Sequence, residues 1–125
     1  MSIKVAVTAQ NRKTISSHAG ACRNYFIYTI NEDGSYEKEL IELAKNESLR
    51  HTFHDDESEN PQNVIFDMDI LLTGGVGLGG VNRLAAKNVA ARIIKETDPD
   101  TAIEKLLNKT LEFFAPEDHH HKDHH

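Results

Sequence analysis

Asp69-Ile70-Leu71-Leu72-Thr73-Gly74-Gly75-Val76-Gly77-Leu78-Gly79-Gly80 combines a short apolar run with a glycine-rich turn. Ile70–Thr73 has the length and apolarity of a strand at the centre of a sheet. The glycines permit a tight exit from that strand, and Val81–Lys87 continues with helical periodicity. Asn88 is a left-handed helix stop, and Val89–Lys95 reads as the next strand. A strand, a helix and a second strand joined this closely require a parallel pair.

Upstream, Ile3, Val5 and Val7 alternate with Lys4, Ala6 and Thr8, which is the period of a strand. A polar stretch from Ala9 to Arg23 follows, carrying His18, Gly20 and Cys22. Asn24-Tyr-Phe-Ile-Tyr-Thr-Ile30 is β-branched and aromatic, hence a strand. Asn31-Glu-Asp-Gly34 is a hairpin turn with Gly34 free to take positive φ. Ser35–Leu43 reads as the returning strand, although Leu40, Ile41, Leu43 and Ala44 also suit a helix. Asn60-Pro61 has the form of a helix start leading into Val64, Ile65 and Phe66. Asp98-Pro99 starts a last helix, whose apolar face runs through Ile103, Leu107, Leu111 and Phe114. The sum is a mixed sheet covered by helices, in one domain over residues 1–115 with a flexible histidine-rich tail over 116–125.

The chain has 125 residues, a formal net charge of −6 and one cysteine, Cys22. No intrachain disulfide is possible, and a lone thiol fits a reducing compartment. The start Met-Ser-Ile-Lys-Val alternates, unlike a secretory leader, and no run approaches the roughly 20 apolar residues of a membrane span. A cytoplasmic location with no membrane partner is expected. The acidic balance excludes a dominant phosphate-backbone partner, so no nucleic acid is expected.

Three groups of residues carry possible chemistry. Gly75-x-Gly77-x-x-Gly80 after a strand has the form of a dinucleotide fingerprint, with Glu96 and Asp98 near the position of a ribose-binding acid. A dinucleotide fold, however, begins with this unit and adds further parallel strands, whereas here only one strand and one helix follow. The glycines either only permit the turn or present backbone amides at a helix start to an anion. His18 and Cys22, four residues apart, pair an imidazole with a thiol suited to zinc, iron or an iron–sulfur species. Cys22 as a small buried hydrophobe is the plain alternative. His51 and His54 sit in an acidic loop, and His119, His120, His121, His124 and His125 form an interrupted tail suited to nickel or zinc. Catalysis has little support: the first strand lacks carboxylates, and there is neither a Gly-x-Ser-x-Gly elbow nor a P-loop lysine.

Ile3-Lys-Val-Ala-Val, His18-Ala-Gly20 with Tyr25-Phe-Ile-Tyr28, and Asp69-Ile-Leu-Leu-Thr-Gly-Gly-Val-Gly followed by Leu84 and Val89–Ile94 occur here in that order. Together they resemble the dinitrogenase iron–molybdenum cofactor biosynthesis family, which includes NifX-like and NafY-like carriers and the C-terminal domain of NifB-type proteins. Ala19 stands where that family usually has an aromatic residue. The resemblance implies a three-layer α/β/α fold with a ribonuclease-H-like motif and a five-stranded mixed sheet. It implies a non-catalytic carrier of an iron–sulfur or iron–molybdenum-type cluster, working with a cofactor-assembly or acceptor protein. Carried over, His18 and Gly20 with Gly74, Gly75 and Gly77 border the cluster, and Cys22 is expected to be partly accessible beside them. The other readings are a divalent-metal binder using the histidine tail and an enzyme holding a nucleotide at the glycine turn.

Overall fold

The computed structural model describes residues 2–19, 22–43 and 64–115. Five strands form one mixed sheet: β1 (Ile3–Thr8), β2 (Asn24–Ile30), β3 (Tyr36–Glu42), β4 (Ile70–Thr73) and β5 (Ala90–Ile93), in the order β3-β2-β1-β4-β5. β1 pairs antiparallel with β2 from Ile3↔Ile30 to Thr8↔Tyr25, and parallel with β4 through Val5↔Ile70, Ala6↔Leu71 and Val7↔Leu72. β4 and β5 are also parallel. The parallel neighbours expected from the β4–glycine–helix unit are therefore present, with β1 at the centre.

Alternation along the central strands feeds two cores. Ala6, Tyr25, Ile27, Leu71 and Ala91 face one side, where Leu84 of helix α1 (Leu78–Ala85) covers them together with Ile65 and Met68. Val5, Val7, Tyr28, Ile30 and Leu72 face the other, against Ala102 and Ile103 of helix α2 (Pro99–Leu107). The fold is thus a three-layer α/β/α sandwich of the ribonuclease-H-like kind. Both faces of β1 and β4 are covered, which is why β4 is a continuous apolar run and not an alternating one.

The hairpin forms as expected: Gly34 has φ +89° and its N–H donates to Asn31 O at 3.0 Å. The ambiguous Ser35–Leu43 segment resolves as a strand, because pairing with β2 from Asn24↔Glu42 to Ile30↔Tyr36 outweighs its helical propensity.

Several boundaries differ from the sequence expectation. Helix α1 begins at Leu78, not Val81, because Gly79 and Gly80 are carried inside it despite their poor helix propensity. It ends in a Schellman arrangement, with Asn88 at φ +68° and Val89 N–H donating to Leu84 O at 2.9 Å. Helix α2 stops at Leu107, so Leu111 and Phe114 do not extend its apolar face. Lys109 at φ +62° turns the chain, and Thr110 N–H donates to Lys105 O at 2.8 Å. Phe114 then forms an isolated bridge to Ile93 on the outer edge of β5. That strand covers Ala90–Ile93 and not Val89–Lys95. Val64–Asp67 is a 3₁₀ turn, while the helix start read at Asn60-Pro61 lies outside the described residues.

Candidate functional site at the carboxyl edge of the sheet

β1 and β4 run parallel, so the segments after Thr8 and after Thr73 leave from the same edge, and β2 enters there from Arg23. The first segment is folded on itself by Asn11, whose Oδ1 accepts from the N–H of Lys13 at 2.9 Å and of Thr14 at 2.8 Å. Arg12 takes φ +64° inside that turn. The chain then returns across the strand ends. Ile15 N–H donates to Thr97 O at 2.8 Å and Ser16 N–H to Thr8 O at 2.9 Å.

From Ser16 onward this segment lies against the glycine turn. Gly74 N–H donates to Ser16 O at 2.9 Å, and Ala19 N–H donates to Gly75 O at 3.0 Å. A Cβ on Gly74 would sit 3.1 Å from Ser17 Oγ and 3.2 Å from Ser16 O, and one on Gly75 would sit 3.3 Å from Ser17 Cβ. At both positions the neighbouring loop would have to give by a few tenths of an ångström to admit a side chain. Gly77 differs: it faces open space and has φ −75°, so no left-handed backbone demands glycine there. It caps α1 without a side-chain acceptor, leaving the first amides of the helix without a side-chain cap.

The structure places the His18 backbone beside Gly75, in the turn that runs from Gly74 to Gly77. His18 is exposed and holds φ +60°, a conformation uncommon for a residue with a side chain. Its neighbour Ala19 is fully buried. Cys22 corrects the expectation of accessibility. It is 2% exposed and belongs to the core that packs Leu71 and Leu84. Its S–H donates to Asn24 O at 3.1 Å, with Ser16 Oγ 3.8 Å away. Burial pushes the thiol up from its ordinary value, against the smaller opposing effects of Ser16 and the Asn24 and Ala9 backbone. At neutral pH this is a protonated thiol in an apolar setting. The same strand end holds a buried side-chain oxygen, Asn24 Oδ1, without a hydrogen-bond partner, while Asn24 Nδ2 donates to Gln10 O at 2.8 Å.

Sequence reasoning missed Thr8 and Thr73. Both are fully buried, and their hydroxyl oxygens lie 2.9 Å apart at the ends of the central strands. A threonine directly after the apolar runs Val5–Val7 and Ile70–Leu72 was the available signal. Gly20, His51, His54 and the tail histidines 119, 120, 121, 124 and 125 lie outside the described residues. Among the described residues no group of three His, Cys, Asp or Glu side chains is placed to hold a metal ion.

The acids that gave the glycine run its dinucleotide form are engaged elsewhere. Asp98 caps α2 by accepting from Thr101 N–H at 2.9 Å, and Glu96 accepts from Lys105 at 2.9 Å. A cavity of about 370 Å³ lined by Lys95, Glu96, Lys105, Thr110, Leu111, Glu112 and Phe114 includes no residue of the glycine turn. No helix among the described residues is long and apolar enough to cross a membrane.

A five-stranded mixed sheet between helices, with loops from its two central parallel strands meeting at one edge, defines a three-layer α/β protein of ribonuclease-H-like type. The chain matches the dinitrogenase iron–molybdenum cofactor family over residues 1–109 and belongs to it. Solved structures of similar fold include a provisionally assigned dinitrogenase from Methanocaldococcus jannaschii, 15% identical with a TM-score of 0.65, covering 94% of this chain and 99% of that one. A provisionally assigned NifB protein from Thermotoga is 19% identical with a TM-score of 0.60, covering 93% and 99%. The apo orange protein from Desulfovibrio gigas is 16% identical with a TM-score of 0.60, covering 92% and 95%. At these identities the likeness concerns the fold. No curated protein matches the chain significantly.

Proposed function

We propose that this chain is a non-catalytic carrier for an anionic iron–sulfur or iron–molybdenum-type cluster, received at the edge where His18 meets the glycine turn. Membership of the cofactor family supports a role in handling such a cluster. The observation that carries the site is His18. It is exposed and held in a left-handed backbone conformation beside Gly75, whose carbonyl accepts from the next amide in the chain. A strained, exposed imidazole at a junction of two loops is a feature that packing alone does not require. The imidazole supplies a ligand for iron, and the uncapped amides at the start of α1 supply dipoles for an anionic sulfide-rich body. Cys22 is left out of the ligand set, because a buried and protonated thiol is neither reachable nor nucleophilic. With so few protein ligands the cluster is held exchangeably, which suits delivery to an acceptor or cofactor-assembly protein. The cluster is cargo, and no step of bond chemistry is assigned to the protein.

The test is anaerobic titration with a preformed iron–sulfur cluster, followed by visible absorption and bound iron. His18→Asn keeps a residue tolerant of left-handed φ and removes the imidazole. Uptake by the parent with a loss of about tenfold or more in His18→Asn, at unchanged melting temperature, is the expected result. No uptake by the parent would end the carrier reading, and equal uptake by His18→Asn would remove His18 from the site.

A further inference from the structure

Apart from Thr8 and Thr73, the core-facing positions of β1 and β4 are apolar: Val5, Ala6 and Val7 on one strand, Leu71 and Leu72 on the other. One step beyond the Val7↔Leu72 pair, both strands place a fully buried threonine. Valine has nearly the same shape and a comparable preference for strands, so packing alone does not select a hydroxyl. Burying a hydroxyl is unfavourable unless it is hydrogen-bonded, and two here are bonded into both loops of the candidate site.

The hydrogen bonds define the connection. Ser16 O accepts from Gly74 N–H at 2.9 Å, from the Thr8 hydroxyl at 2.7 Å and, at a longer 3.2 Å, from the Thr73 hydroxyl. The Thr73 hydroxyl also reaches Gly75 O at 3.3 Å, and the two threonine hydroxyl oxygens lie 2.9 Å apart. Gly75 N–H in turn donates to Thr73 Oγ1 at 3.3 Å. One continuous path therefore runs from the Gly75 amide through Thr73 and Thr8 to the Ser16 carbonyl, two residues before His18.

We infer that the Thr8–Thr73 hydroxyl pair is a positioning device that sets the distance and orientation of the His18 loop relative to the glycine turn, and thereby the fit of the cluster. The ligand in this inference rests on the carrier reading; the holding of the loops does not. Neither threonine touches the cluster. Removing the Thr73 hydroxyl leaves the backbone bonds from Gly74 to Ser16 and from Ala19 to Gly75, so the fold persists while the two loops lose their side-chain tie.

The variants are Thr73→Val, Thr73→Ser and, as a control for stability alone, Val89→Ala, which opens the same sheet's core at the start of β5 on the opposite edge. Amide exchange is measured on ligand-free protein, and a preformed iron–sulfur cluster is titrated anaerobically with visible absorption and circular dichroism. In Thr73→Val the amides of Gly74 and Ala19 are expected to exchange about tenfold faster, cluster uptake to weaken by a similar factor, and the visible dichroism of bound cluster to change. Thr73→Ser restores all three, and Val89→Ala lowers the melting temperature without moving any of them. Parent-like exchange, parent-like uptake in Thr73→Val, or the same losses in Val89→Ala would overturn the inference. A parent that takes up no cluster ends the carrier reading alone, and the exchange rates still decide whether the hydroxyl pair holds the loops.

Discussion

Cys22 and His18 lie four positions apart in sequence, yet they have opposite environments. His18 is exposed in a left-handed conformation, and Cys22 is sealed beneath the same segment with its proton directed at the Asn24 carbonyl. The sequence marked both as ligands because spacing records residue type, not which side of a loop faces the core. Cys22→Ala is accordingly expected to bind cluster as well as the parent, at a stability cost of about 1–2 kcal/mol for the lost buried sulfur. Titration beside thermal unfolding checks it, and a loss of uptake with intact folding would return Cys22 to the ligand set. A second residue, Asp100, gives a pH signature. The Tyr28 hydroxyl at 2.6 Å, then Lys38 at 3.0 Å, hold its carboxyl below the ordinary carboxylate value. A depressed folded-state value means that the carboxylate stabilises the fold at pH above its unfolded value, and that this contribution is lost as pH falls through the folded value. Asp100→Asn is therefore expected to flatten the acid side of the melting-temperature profile below about pH 4, where Asp ordinarily titrates. An unchanged profile would show that these contacts contribute nothing measurable.

At the scale of elements, legibility followed the locality of the cause. The β2–β3 hairpin was readable because Asn31-Glu-Asp-Gly34 encodes its own turn and Gly34 supplies the positive φ. The α2 start was readable for the same reason. Asp98 accepts from both the Thr101 amide at 2.9 Å and its hydroxyl at 2.7 Å, and Pro99 occupies the first turn. Asp98→Ala is expected to cost about 1 kcal/mol and lower the melting temperature by several degrees. A change within error would mean that Pro99 and packing of Ala102 and Ile103 start the helix unaided. The α2 end was misread because Leu107, Leu111 and Phe114 keep a helical spacing, while Lys109 turns the chain without a glycine to announce it. The glycine turn was legible as a turn. What it packs against was not, because the contact of Gly74 with Ser16 joins residues 58 apart, and only the β1–β4 pairing brings them together. Thr8 and Thr73 escaped notice for that reason: each alone is an ordinary strand residue.

At the scale of the whole molecule, the sheet formed by the described residues has two edges, and they are treated differently. β3 is an edge strand whose Glu37, Lys38, Glu39 and Glu42 are exposed, a charge pattern that discourages pairing with another chain. β5 has Ala90, Ala91, Arg92 and Ile93, with a single charge. Its outer side is covered by the segment after α2, where Phe114 N–H donates to Ile93 O at 2.8 Å. Lys95 lies over the Phe114 ring at 4.5 Å, and Arg92 over the Phe113 ring at 5.8 Å. The continuation past Leu107 that falsified the helical reading is therefore the cover of an open edge. A chain ending at Glu112 is expected to self-associate through β5 at concentrations where a chain ending at Ala115 does not, since both lack the histidine tail and differ only in this cover. Light scattering and sedimentation compare the two directly. If they behave alike, the remaining contacts of residues 108–112 suffice to guard the edge, and the Phe114 bridge is dispensable.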